Sequence, residues 1–153
     1  MHPDFFDKVI ISDTSCLIAL TNIKRLEILR QVCRTVLVTP EIAAEYGEPL
    51  PDWISVVPVY DAAKTLLIGK TLDPGESSAI ALALETKDPL LILDDAKARS
   101  YALDIGLSIT GTLGILIAAC RQGIVTDIDP IIAGLKACDF RLPPGLPDIL
   151  AGL

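Results

Sequence analysis

Histidine is nearly absent: the 153 residues contain one, His2, close to the amino terminus. A mechanism that needs a histidine base, such as a Ser-His-Asp triad, therefore has no support. Metal-type cysteine spacing is missing too. Cys16, Cys33, Cys120 and Cys138 are scattered without a CxxC pair, and three fall in stretches that read as helix. Buried free thiols are expected, not zinc ligands or disulfides. Long apolar runs are also lacking. Hydrophobic residues make up 51% of the chain and mean hydropathy is +0.51, yet uncharged stretches such as Leu113 to Cys120 are too short to span a bilayer. No stretch near the amino terminus combines a basic region, an apolar core and a small-residue cleavage site. A cytoplasmic globule with no membrane partner is expected, formed as one domain over residues 1–153. Positive charge is scarce as well: 13 basic against 20 acidic residues give a net charge of −7. That balance argues against a broad electrostatic grip on nucleic acid. It does not exclude a nuclease, because clustered active-site acids count as negative until a metal neutralises them.

What the chain does have is a set of buried strands that end on acids. Val9-Ile10-Ile11 is β-branched without polar alternation, as in a strand covered on both faces of a parallel sheet. It stops at Ser12-Asp13-Thr14-Ser15. Leu90 to Leu93 repeats the pattern and stops at Asp94-Asp95. Ligands of open α/β sheets sit at the carboxyl ends of strands, so these acids lie where chemistry is expected.

Between and beyond these strands, helix and strand signals alternate. Helices are expected at Ser15–Asn22 and Lys24–Cys33, a strand at Thr35–Thr39, and a helix at Pro40–Tyr46 with proline at its first turn. Further on, a strand is expected at Ile54–Val59 and a helix capped by Asp61 through Ile68. Asp73-Pro74-Gly75-Glu76 starts an Ala/Leu-rich helix that runs to Glu85. A helix over Ala96–Asp104, a strand at Leu107–Ile109, a helix opened by Thr110-Gly111-Thr112 and one from Asp129 to Cys138 follow. This alternation means a parallel sheet covered by helices on both faces.

Four acidic positions are candidates for chemistry: Asp13, Glu45, Glu76 and the pair Asp94-Asp95. Sites of several carboxylates suit hard divalent cations. Each acid also has a plainer reading. Asp13 can be an N-cap. Glu76, three residues after Asp73, has capping-box spacing. Glu45 shares its neighbourhood with Glu41 and Glu48, as on a solvated face. Of Asp94 and Asp95, one can face the site while the other caps the next helix, because successive side chains at a strand end diverge. Thr110-Gly111-Thr112 is either a cap or a set of N–H groups for a phosphate. Lys97 and Arg99 are either phosphate contacts or surface charges.

Taken in order, Ser12-Asp13-Thr14-Ser15, Pro40 to Glu45, Gly75-Glu76-Ser77-Ser78-Ala79-Ile80-Ala81, Leu93-Asp94-Asp95 with Lys97-Ala98-Arg99, and Thr110-Gly111-Thr112-Leu113-Gly114 resemble the PIN-domain family. The likeness is greatest to its branch of small prokaryotic proteins similar to VapC-type toxin ribonucleases, and it covers about Val9 to Leu146. The resemblance implies an α/β/α sandwich around a five-stranded parallel sheet of order 3-2-1-4-5. It implies a Mg²⁺- or Mn²⁺-dependent site that hydrolyses RNA, with catalytic acids at Asp13, Glu45, Glu76 and Asp95. Asp13, Glu76 and Asp95 would hold the metal, with Asp94 as a further candidate. Thr14 or Ser15 would orient Asp13, and Thr14, Ser15, Lys97, Arg99, Thr110 and Thr112 would meet substrate. A homodimer and a small antitoxin partner are implied as well. An acidic ribonuclease also needs a local basic patch, for which Lys24, Arg25, Lys97 and Arg99 are the candidates. Two rivals remain: a non-catalytic binding module of the same fold, and another Mg²⁺-dependent phosphoryl-transfer domain. For the latter, the Asp-x-Asp of haloacid-dehalogenase-type phosphatases is broken here by Ser15.

Overall fold

Ile10 and Ile11 are both fully buried although they point to opposite faces of their strand, so β1 (Val9–Ser12) is covered on both sides. It is the middle of a five-stranded sheet in this computed structural model, which describes residues 5–153. His2 lies outside the described residues. β2 (Thr35–Val38) and β4 (Pro89–Ile92) flank β1, and β3 (Ile54–Val56) and β5 (Ile109–Thr110) form the edges. The order is β3-β2-β1-β4-β5 and every pairing is parallel. The expected order and class are therefore found.

Helices make every connection: α1 (Thr14–Asn22) and α2 (Glu27–Val32), α3 (Pro40–Tyr46), α4 (Ala62–Ile68) and α5 (Pro74–Leu84), then α6 (Ala96–Asp104). After β5 come α7 (Thr112–Arg121), α8 (Asp129–Ala137) and α9 (Leu146–Ala151). Most starts follow local chemistry. Thr39, Asp61, Asp73 and Asp95 each accept an N–H of the first turn, and Pro40 and Pro74 stand where no N–H is needed. Helix α5 is buried along Ser77–Ala83 and packs against α3 and α4 as well as β1 and β4. Its small residues let it come close on all these sides.

Several boundaries move by one residue, among them β4, expected at Leu90–Leu93 and found at Pro89–Ile92, and three differ more clearly. The second helix begins at Glu27, not Lys24, because Lys24 takes a left-handed backbone (φ 59°) after α1. β3 stops at Val56 rather than Val59, ahead of Pro58, which has no N–H for a ladder. The last strand shifts to Ile109–Thr110 because the Leu107 N–H bonds to Ala102 O and closes α6. All four cysteines are free, with Cys16 and Cys33 buried, Cys120 half-buried and Cys138 exposed. No helix among the described residues is long and apolar enough to cross a membrane.

Candidate active site

At the carboxyl edge of the sheet a cleft of about 1150 Å³ opens between α1, the loops after β4 and β5, and the segment that follows α8. Neighbouring β1 and β4 send their chains away in opposite senses at this point, the place where such sheets form a crevice. Asp13, Glu45, Glu76, Asp94 and Asp95 all line it.

Asp13 is the deepest. It caps α1, with Oδ1 accepting from the Cys16 N–H at 2.8 Å, while Oδ2 accepts from the Asp94 N–H at 3.0 Å. The cap and the site role thus coexist in one side chain. The orienting groups are backbone amides, not Thr14 or Ser15 as expected. Burial, followed by the charge of Asp94, pushes the Asp13 pKa up to about 8 against the two amides that favour its charged form. Below it, burial and the Asp13 carboxylate keep the Cys16 thiol protonated, so this cysteine is inert packing.

Asp94 and Asp95 divide their duties. Asp94 turns to the start of α7, where Oδ1 accepts from the Thr112 N–H at 2.9 Å and Oδ2 from the Thr112 hydroxyl at 2.6 Å. Gly111, the residue at the N-cap of α7, has no side chain to do this. A side chain there would press on Asp94 and on the Arg99 guanidinium. Asp95 is the exposed N-cap of α6, accepting from the Ala98 N–H at 3.0 Å with one oxygen. So the acid expected to act as ligand also caps a helix, and Asp94 is the one whose charge bears on Asp13.

Two helices supply the remaining carboxylates. Glu45 is not part of a free acidic face. It lies over Gly75, whose missing side chain leaves the space its carboxylate occupies, and its Oε2 accepts from the Thr14 hydroxyl at 2.7 Å. Glu76 is half-buried. The capping of α5 is done by Asp73, which accepts the Glu76 N–H at 2.9 Å, and the Glu76 carboxylate makes no return bond among the described residues. Burial first, then the charges of Asp73, Asp95 and Glu45, raise its pKa to about 7. Beneath both, a buried Thr39–Ser78 hydroxyl pair at 2.6 Å joins the start of α3 to α5. Ser78 also donates to Gly75 O at 2.8 Å. Neither Thr39, Ser78 nor Gly75 was legible as a site residue, although a serine pair inside an apolar helix was a signal.

The other candidates separate. Ser15 and Thr110 line the cleft, but Thr112 is fully buried and bound to Asp94, so it holds Asp94 instead of meeting substrate. The proposed basic patch is not assembled there. Arg25 pairs with Glu27 at 3.2 Å, Lys24 and Lys97 do not line the cleft, and of the four only Arg99 does. Arg99 donates from Nη1 to Leu93 O at 2.8 Å, which holds the end of β4. The segment from Cys138 to Pro144, including Arg141, forms a wall of the cleft that the sequence reading did not single out.

The donors in this cleft are carboxylate and hydroxyl oxygens, which suit a hard divalent cation. Among the described residues no three acidic, histidine or cysteine side chains are gathered into a ready cage. The fit is one of donor chemistry and of close like charges.

Fold and site together define a doubly wound α/β protein with an acidic crevice at its central strand ends. A family model described as a PIN domain matches residues 9–149, and the chain belongs to the PIN-domain family. PIN domains are generally nucleases, so the fold here is a nuclease fold and the coarse class of reaction is hydrolysis. No curated protein matches the chain.

Proposed function

We propose that this protein is a metal-dependent ribonuclease that hydrolyses RNA phosphodiester bonds, acting as the toxin of a toxin–antitoxin pair. The observation that carries the reading is the meeting of acids from separate elements in one crevice: Asp13 after β1, Glu45 on α3, Glu76 on α5 and Asp94-Asp95 after β4. Asp13, Glu76 and Asp95 would hold Mg²⁺ or Mn²⁺, with Asp94 beside them. When bound, such an ion supplies Lewis acidity toward the phosphate and lowers the pKa of water. The chain's own side chains do the rest. Asp13, fixed by two amides, sets the floor of the site. Thr14 keeps one Glu45 oxygen engaged and leaves the other free to accept a proton from an attacking water. The resemblance to small prokaryotic toxins supports a homodimer, a small antitoxin partner and a cytoplasmic setting, and the neighbouring gene is where that partner would be read.

The test is incubation with structured and unstructured RNA in Mg²⁺ or Mn²⁺. Cleavage leaving 5′-phosphate and 3′-hydroxyl ends is expected, because water and not the ribose 2′-hydroxyl attacks. Loss of cleavage in EDTA is expected too. Persistence in EDTA, or 2′,3′-cyclic phosphate ends, overturns the reading. A second reading, a binding module without turnover, is favoured by the full engagement of both Asp13 oxygens by backbone amides. It predicts neither cleavage nor a rise in melting temperature with Mn²⁺, whereas the ribonuclease should gain stability from the ion.

A further inference from the structure

An acidic cleft in a protein of net charge −7 repels the polyanion it would cut, so a cation must be placed where the strand enters. Among the described residues the cleft is lined by two, Arg99 and Arg141. Arg99 is half-buried and its Nη1 is bound to Leu93 O, so it is largely committed to the protein. Arg141 is exposed and makes no hydrogen bond or ion pair among the described residues. Asp139 lines the same wall without pairing with it.

The backbone around Arg141 is built to hold it there. Asp139 takes a left-handed conformation (φ 59°) that turns the chain out of α8, and the Phe140 N–H returns to Leu135 O at 2.9 Å. Phe140 and Leu142, on either side, are half-buried against the hydrophobic core. Anchored at both neighbours, Arg141 is left exposed on the cleft wall. Its planar guanidinium presents paired N–H donors that match two phosphate oxygens.

We propose that Arg141 is the phosphate-binding residue of this cleft, seating a backbone phosphate of the substrate strand opposite the acids. The proposal rests on the nuclease reading above and names the side chain that grips the strand.

Steady-state cleavage of a labelled single-stranded RNA oligonucleotide in Mn²⁺, over a series of salt concentrations, tests it with wild type, Arg141→Ala, Arg141→Lys and Arg30→Ala. Arg30 is an exposed cation of α2 outside the cleft and matches the charge change. Arg141→Ala should raise KM about tenfold with kcat nearly unchanged. It should also flatten the slope of log(kcat/KM) against log salt by about 0.7, the share of one phosphate contact on a single strand. Arg141→Lys should keep the wild-type slope and recover part of the KM, and Arg30→Ala should match wild type in both. A role in packing alone would lower melting temperature and activity without touching the slope, and that outcome overturns the proposal. So does an Arg141→Ala enzyme equal to an active wild type in KM and slope. A wild type that cuts no oligonucleotide overturns the ribonuclease reading itself, and the proposal with it.

Discussion

Two kinds of acid meet in the cleft, and they are held very differently. Asp13 and Asp94, at the ends of the central strands, have both carboxylate oxygens engaged by donors of the chain, in one case backbone amides and in the other Thr112. Glu45 and Glu76, on helices, are tied by one hydroxyl and by nothing, respectively, among the described residues. The strand-end acids are therefore parts of the fold as well as of the site, and removing one disturbs both. The helix acids can change length, charge or direction with little cost to the fold. They are the adjustable half of the cleft.

The largest effect that would sharpen this contrast is on cleavage. Asp13→Asn removes a charge from the floor of the site and leaves only one acceptor for two N–H donors. Activity should fall on the order of 10³-fold or more. An Asp13→Asn protein that cuts RNA at a wild-type rate would remove the deep acid from the chemistry. Glu76→Gln should reduce metal-dependent cleavage by about a hundredfold while leaving the melting temperature close to wild type, since Asp73 caps α5 without it. The opposite result, intact activity with lowered stability, would make Glu76 a cap residue.

Asp94→Ala is the counterpart on the strand side. It leaves the buried Thr112 N–H and hydroxyl without partners and should cost about 1–3 kcal/mol of stability, read from denaturant unfolding. If Asp94→Ala is no less stable than wild type, the strand-end acids are not structural parts of the fold.

Proton linkage separates the two states of the cleft. Asp13 and Glu76 carry pKa values raised to about 8 and about 7, so the folded protein holds protons that the unfolded chain has already released. Their contribution to stability is full below the ordinary carboxylate range and is lost as pH rises through about 7 and then about 8. Without metal, the melting temperature should fall by a few degrees between about pH 5 and about pH 8. A divalent ion competes with those protons, so the gain from Mn²⁺ should grow over the same interval. Glu85 works in the other direction at more acid pH, because the N–H groups of Asp61 and Tyr60 hold its pKa down. A metal-free protein that gains stability towards pH 8 would refute the account of the raised acids.

The smallest effect concerns the tie on Glu45. Thr14→Val keeps the shape and removes the hydroxyl, and kcat/KM should fall by roughly 2- to 10-fold, the net worth of one hydrogen bond. An unchanged value would mean that Glu45 finds its place from Gly75 and the helix alone.

How far this molecule is legible from its residues depends on the range of the interaction involved. The strand cores announce themselves, because Ile10-Ile11 and Leu91-Ile92 leave no polar face to expose. So do the helix starts at Pro40 and at Asp73-Pro74, where a residue without an N–H opens the first turn; that Thr39, expected in the strand, caps the first of them came only from the structure. Asp13 and the Asp94-Asp95 pair follow from these, since Asp13 directly follows β1 and the pair stands one residue, Leu93, past the end of β4. The dual duty of Asp13, cap and site at once, could not be read there, as either role alone accounts for the same spacing.

What remained hidden lies in bonds between residues far apart in the chain. Thr14 reaches Glu45 across 31 positions, Thr39 reaches Ser78 across 39, and Asp13 reaches the Asp94 amide across 81. Each of these pairs exists because β1 lies beside β2 on one side and β4 on the other, bringing their ends to a common edge. The same holds for the failures: Lys24 and Arg25 were grouped with Lys97 and Arg99 by charge, and the packing takes them to different surroundings. Arg141 is the reverse case. Nothing near it in sequence marks it for a site, and only the return of the chain after α8 brings it to the cleft that the acids line. Propensity, proline geometry and capping act over a few residues and are written where they act. Which carboxylate faces which donor is decided by strand order and helix packing, which no short stretch of this chain contains.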